Sequence, residues 1–216
     1  MKKFFFLLLA SASLSAAPQA IVFDFGGVMT GPSNREMVVQ FLCESIQLTP
    51  AEFEKANLQK KQALKLGKTD EEFWKDLAKE RGIDLPNHWV QTLKSVMKEA
   101  IGINPEMYLL VDQLRQKQVI VALLSNIDER LARLIREFNL YEPFTPCLLS
   151  CEIGVEKPNP RAYEILLERL NLPSADVVFI DDKVENVDEA KKMGIDAILF
   201  ESCEQLREEL KKRSLF

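Results

Sequence analysis

Only one histidine, His88, occurs in the 216 residues. Zinc hydrolases usually draw two or more imidazoles from the protein, so most such sites are excluded and the chemistry here leans on carboxylates. Positive charge is also short, with 28 Lys and Arg against 33 Asp and Glu, a net charge of −5. No overall positive field exists to hold a polyanion, which argues against nucleic acid as a partner. Cysteine is sparse: Cys43, Cys147, Cys151 and Cys203 are spread along the chain. A strand between Cys147 and Cys151 would hold them roughly 13 Å apart, too far to bridge. Each is read as a buried free thiol, with a disulfide between distant cysteines as the alternative. The 8 glycines form neither a Walker nor a dinucleotide-binding pattern. The apolar run Phe4–Leu14 falls short of the roughly 20 residues a bilayer span needs.

That run is preceded by Lys2 and Lys3 and followed by Ser15, Ala16 and Ala17, the order of a secretory signal. Cleavage is expected between Ser15 and Ala17. The product would be exported, periplasmic or secreted, with no stable membrane anchor. The alternative is an extra apolar strand or a misplaced start, which would leave the protein cytoplasmic.

Short continuous apolar runs are plentiful: 20–23, 119–124, 147–149, 177–180 and 197–200. Continuous rather than alternating runs are expected of parallel strands buried on both faces. Between them, Met107, Leu110, Val111 and Leu114, then Leu131, Leu134, Ile135 and Phe138, then Tyr163, Leu166 and Leu170, then Val187, Ala190 and Met193 recur at helical spacing. The alternation predicts an α/β fold, a Rossmann-like doubly wound parallel sheet. From Pro32 to about Ile103 the rhythm changes to helices only. Thr49 with Glu52, and Thr69 with Glu72, are capping boxes, and Trp89, Leu93, Val96, Met97 and Ala100 form a helical apolar stripe. The expected organisation is a signal at 1–17, a core of 18–31 with 104–216, and an inserted all-helical subdomain at 32–103. Lys60, Lys61, Lys65 and Lys68 are read as a solvated face, and Gly31 with Pro32 as a linker.

In open parallel sheets, ligands bind beyond the carboxyl ends of the strands. Asp24 follows the first run, Ser125 and Asn126 the second, and Asp181 with Asp182 the fourth, while Lys157 lies eight residues past Leu149. Carboxylates gathered at one edge repel unless a cation sits among them, and hard oxygen ligands suit Mg²⁺. A divalent ion held by acids points to a small phosphorylated substrate. Gly26 and Gly27 would let backbone N–H groups approach its phosphate closely.

The set Phe23-Asp24-Phe25-Gly26-Gly27-Val28, Leu124-Ser125-Asn126, Lys157-Pro158-Asn159-Pro160 with Tyr163, and Asp181-Asp182 with Asn186 resembles the haloacid dehalogenase-like hydrolase superfamily, over nearly all the chain after Pro18. The insertion after the first motif is similar to the family's helical cap. The resemblance implies phosphoryl transfer through an aspartyl-phosphate, with Asp24 as nucleophile. It implies that Mg²⁺ is held by Asp24, the Gly26 carbonyl and Asp182, with Asp181 shaping the acidic site. Ser125 and Lys157 would act on the transferring group, and Gly26, Gly27, Ser125, Asn126 and Lys157 would bind phosphate. Asn186 would support Lys157 or a metal-bound water.

One position departs from the family pattern. Its phosphatases usually read DxDG, and the second acid, which protonates the leaving oxygen and later activates water, is replaced here by Gly26. A missing general acid and base usually costs on the order of 10² to 10⁴ in rate. Three readings accommodate the gap: a phosphatase whose substrate leaves easily or whose cap supplies an acid, a dehalogenase, and a catalytically impaired binding protein. The first is favoured, because relatives similar in this glycine and in the paired acids of the fourth motif include sugar-phosphate phosphatases. A dehalogenase would leave Asp182 unexplained.

Overall fold

A computed structural model describes residues 17–216. The signal expected at 1–17 lies, apart from Ala17, outside the described residues. The expected parallel sheet is present, with strands β1 (Ala20–Phe23), β2 (Ile120–Ser125), β3 (Cys147–Leu149), β4 (Val177–Asp181) and β5 (Asp196–Leu199), in the order β3-β2-β1-β4-β5. Phe23 stands level with Leu123 on one side and Ile180 on the other. Strand boundaries fall within a residue of the apolar runs. The chain starts in the middle of the sheet, builds out through β2 and β3, then crosses back to β4 on the far side of β1. A switch point therefore opens between β1 and β4, where a crevice for ligands is expected.

Successive residues of each strand point to opposite faces, and both faces are buried here. Ile21 and Phe23 join Val121, Leu123, Val178 and Ile180 beneath helices α5 (Pro105–Gln116), α6 (Glu129–Glu137) and α10 (Cys203–Lys212). Ala20 and Val22 pack with Ala122, Leu124 and Phe179 against α8 (Pro160–Leu170) and α9 (Val184–Lys192). Two-sided burial is why the strands read as unbroken apolar runs.

Four helices separate β1 from α5: α1 (Arg35–Ile46), α2 (Pro50–Lys65), α3 (Asp70–Glu80) and α4 (Trp89–Ala100). Both expected capping boxes form, at Thr49 and Thr69. These helices enclose an apolar cluster of their own around Ile46, Phe53, Trp74, Trp89 and Leu93, with Phe53 stacked on Trp74 at 5.6 Å. The two chain segments leading in and out are paired. Gly31 N–H donates to the Gly102 carbonyl (2.7 Å), Asn34 N–H to Ala100 (2.8 Å) and Asn104 N–H to Met29 (3.0 Å), around an antiparallel bridge of Thr30 with Ile103. Gly102 has φ +69°, and a Cβ there would lie 2.8 Å from the Pro32 carbonyl oxygen, so only glycine lets the segments approach this closely.

Two expectations are corrected. Lys60 is not part of a solvated face: it is buried, with its ammonium 2.7 Å from Asp70 and 5.3 Å from the centre of the Trp74 ring. Its spacing of four residues from Ala56 and seven from Phe53 carries it onto the inner side of α2, and burial pushes its pKa down. Asp70 also accepts two 3.0 Å hydrogen bonds from Arg130 on α6, tying α3 to the sheet-flanking layer. The strand between Cys147 and Cys151 stops at Leu149, where the short helix α7 (Ser150–Ile153) begins, so an extended spacing does not separate them. All four thiols are free, as read from their spread, but Cys151 is exposed and Cys43 and Cys147 are only partly covered.

Asp70→Ala would strand the Lys60 ammonium against Trp74 without its counter-charge. We expect a loss of about 3 kcal/mol in urea unfolding, whereas Lys60→Met, which leaves Asp70 paired with Arg130, should change stability by less than about 1 kcal/mol. Equal losses in the two variants would contradict this assignment of the buried charge.

Candidate active site

The site lies at the carboxyl ends of the strands beside the switch point. Asp24 comes directly after β1, and its N–H donates to the Ile180 carbonyl at 2.8 Å, carrying the β1–β4 pairing one residue past the strand. Asp181 closes β4 and is wholly buried, and Asp24 is 7% exposed. Between them stands the Lys157 ammonium, 2.6 Å from Asp24 Oδ1 and 2.6 Å from Asp181 Oδ2. The same ammonium lies 5.2 Å from the centre of the Phe179 ring, in cation–π range.

Asp181 has little capacity left. Its Oδ1 accepts from Lys183 N–H (2.9 Å) and Asn186 Nδ2 (2.9 Å), and its Oδ2 accepts from Asn186 Nδ2 (3.0 Å) as well as from Lys157. Asn186, expected to support Lys157 or a metal-bound water, bonds Asp181, the carboxylate that in turn holds Lys157. One turn along α9, its amide reaches back to Asp181, and its carbonyl receives the Tyr163 hydroxyl at 2.8 Å. The Asn126 side chain bonds both main-chain groups of Lys157, at 2.8 Å each. Ser125, the last residue of β2, is buried at the same sheet edge.

Oxygens of Asp24, Asp181 and Asp182 lie within 4.8 Å of one another. Asp182 is exposed and forms no ion pair among the described residues, unlike Asp181. Burial is the main force on Asp24 and pushes its pKa up to about 6, with the Asp181 charge adding and Lys157 opposing.

The two glycines after Asp24 serve different ends. Gly27 has φ +80°, and a Cβ there would lie 2.3 Å from Asp182 Oδ2, so its bareness makes room for Asp182. Its N–H faces Thr30 Oγ1 at a long 3.4 Å. Gly26 has no positive φ and open space where a side chain would go. Nothing in the backbone forbids an acid at that position.

One supporting residue escaped the sequence reading. Ser150 Oγ accepts from Ile127 N–H (2.9 Å) and donates to the Ile127 carbonyl (3.2 Å), fixing the loop that carries Asn126. Ser150 directly follows Leu149, so the strand-end rule that selects Ser125 would have selected it too. His88 is exposed at the start of α4, and nothing brings it to the site.

Residues 18–194 match the family model described as a haloacid dehalogenase-like hydrolase. The phosphorylated carbohydrates phosphatase of Thermotoga maritima is 29% identical over 106 residues, 49% of this chain and 49% of that protein. Bifunctional epoxide hydrolase 2 of Mus musculus is 29% identical over 150 residues, 66% of this chain but 27% of that protein, so the chain spans about a quarter of that relative's length. A HAD family enzyme of Bacteroides thetaiotaomicron, solved with magnesium and inorganic phosphate, shares the fold with a TM-score of 0.52 at 21% identity, over 88% of this chain and 98% of that one.

The glycine pair yields a direct contrast. Gly27→Ala combines left-handed backbone with a collision at Asp182 and should lower unfolding free energy by about 1–3 kcal/mol. Gly26→Ala should stay within about 1 kcal/mol of the parent, and a comparison of chemical denaturation midpoints decides.

Proposed function

The chain belongs to the haloacid dehalogenase-like hydrolase family, and from that membership we propose that it is a magnesium-dependent phosphomonoester hydrolase acting on a small phosphorylated metabolite, such as a sugar phosphate, through an aspartyl-phosphate on Asp24. The observation that carries the reading is the buried Lys157 ammonium shared by Asp24 and Asp181, with Asp182, which forms no ion pair among the described residues, alongside. The phosphatase of Thermotoga maritima and the magnesium and phosphate complex of the Bacteroides thetaiotaomicron enzyme support it.

The donor set fits a divalent cation. Asp24 and Asp182 offer hard carboxylate oxygens within 4.8 Å, the Gly26 carbonyl is the third ligand in this reading, and Asp181 is already saturated by nitrogen donors. Bound Mg²⁺ supplies positive charge that offsets repulsion between carboxylate and phosphate.

The chain's own groups do the rest. Asp24 Oδ2 forms the new bond to phosphorus while the bond to the leaving oxygen breaks, and Oδ1 stays on Lys157, which aims the carboxylate. Charge on the transferring group is met by the Lys157 ammonium and by the Ser125 hydroxyl. Water then cleaves the acyl-phosphate bond, releasing phosphate and restoring Asp24. With glycine at position 26, no neighbouring acid delivers a proton to the leaving oxygen. The favoured substrates are therefore those whose leaving group departs as a weak base, namely anomeric sugar, acyl or aryl phosphates.

The full chain should release phosphate from a subset of sugar, nucleotide, acyl and aryl phosphates only with Mg²⁺. Asp24→Asn should lower that rate by at least about a thousandfold. Activity that survives chelation or Asp24→Asn would sink the reading. Gly26→Asp, which the open space admits, should raise turnover of alkyl phosphates at least about tenfold more than of aryl phosphates. An equal effect on both would dispose of the missing-acid account of substrate choice.

A further inference from the structure

Lys157 sits in a loop beyond β3, yet its ammonium meets two carboxylates at 2.6 Å each. Loops are ordinarily the mobile part of a fold, so something must fix this one. The only side chain hydrogen-bonded to the Lys157 main chain among the described residues is Asn126. Its Oδ1 accepts the Lys157 N–H at 2.8 Å, and its Nδ2 donates to the Lys157 carbonyl at 2.8 Å. One amide thereby satisfies both backbone groups of a residue 31 positions away, as a neighbouring strand would. Asn126 is itself anchored, since it follows the last residue of β2 and precedes Ile127, whose N–H and carbonyl are both held by Ser150 Oγ.

We propose that Asn126 is a positioning residue, which holds the Lys157 backbone so that the ammonium spans Asp24 and Asp181. The clamp stands on geometry alone, and its kinetic consequence rests on the phosphatase reading above. A side chain that acts through Lys157 has no effect once Lys157 can no longer bridge the carboxylates. A side chain that binds phosphate by itself keeps its effect.

The test is a double-mutant cycle of Asn126→Ala with Lys157→Ala in the full chain, assayed on an aryl phosphate with Mg²⁺. Asn126→Ala alone should lower kcat by about 10- to 100-fold, the range for residues that orient a functional group, with KM and inhibition by inorganic phosphate within about twofold. In the Lys157→Ala background the further loss should be under about twofold. Asn126→Asp, which keeps the acceptor for Lys157 N–H and loses the donor, should fall between parent and Asn126→Ala. A rise in KM and in the phosphate inhibition constant at unchanged kcat, or full multiplicative losses in the cycle, would overturn the proposal and make Asn126 a direct phosphate ligand. Crystal structures of the parent and of Asn126→Ala give a readout that needs no turnover: the ammonium should leave Asp24 or Asp181 in the variant. An ammonium still bonded to both would overturn the clamp, whereas failure of the parent to hydrolyse any phosphate would overturn only the phosphatase reading.

Discussion

The Lys157 ammonium lies 2.6 Å from carboxylates that arrive on two neighbouring strands, and much of the surrounding hydrogen bonding holds it there. Two like charges about 4 Å apart repel by about 4 kcal/mol at an effective dielectric constant near 20, so Asp24 and Asp181 could not share a buried edge without a cation between them. Taking such charges out of water is repaid only when their remaining lone pairs are also satisfied. Asp181 meets that condition through Asn186 and the Lys183 N–H, and Tyr163 in turn ties down Asn186. Among the side-chain hydrogen bonds of the described residues Asp24 accepts only that from Lys157, and burial pushes its pKa up. The carboxylate left less satisfied is the one that the proposed reaction uses as nucleophile.

A division of labour between the two acids after β4 follows from the same constraint. Asp181 faces inward, where a buried charge needs fixed partners, and it is spent on holding Lys157. Asp182 faces the solvent side, where water can serve it. Gly27 protects this arrangement, because any side chain there would occupy the space of the Asp182 carboxylate. Gly26, one residue earlier, is under no such constraint: a side chain there would meet open space.

The helical segment depends on the sheet through contacts of a different kind. Its own apolar cluster around Trp74 and Trp89 accounts for its internal packing. Its link to the sheet layers runs through paired connecting segments at Gly31 and Gly102 and through Asp70, which serves Lys60 on one side and Arg130 on the other. Arg130 follows Asn126 by four residues, so the ionic contact lands close to the loop that clamps Lys157.

Strand positions were legible in the chain because two-sided burial demands uninterrupted apolar runs, and Ala20–Phe23 and Cys147–Leu149 could be read to the residue. Both capping boxes were legible because they join residues three apart. The polar residues after each strand, from Asp24 to Asp182, were legible as one group because parallel strands deliver their ends to one edge. Partner choice was not. Local periodicity and burial set where each strand stops, and so bring Asp24, Ser125 and Asp181 to one edge; they do not place Lys157, which lies past α7. That Asn186 serves Asp181, that Asn126 grips the Lys157 backbone and that Lys60 turns inward to Asp70 follows from packing. Hydrogen bonds and ion pairs form between atoms a few ångströms apart, and no spacing along the chain encodes which distant residue the packing brings that close.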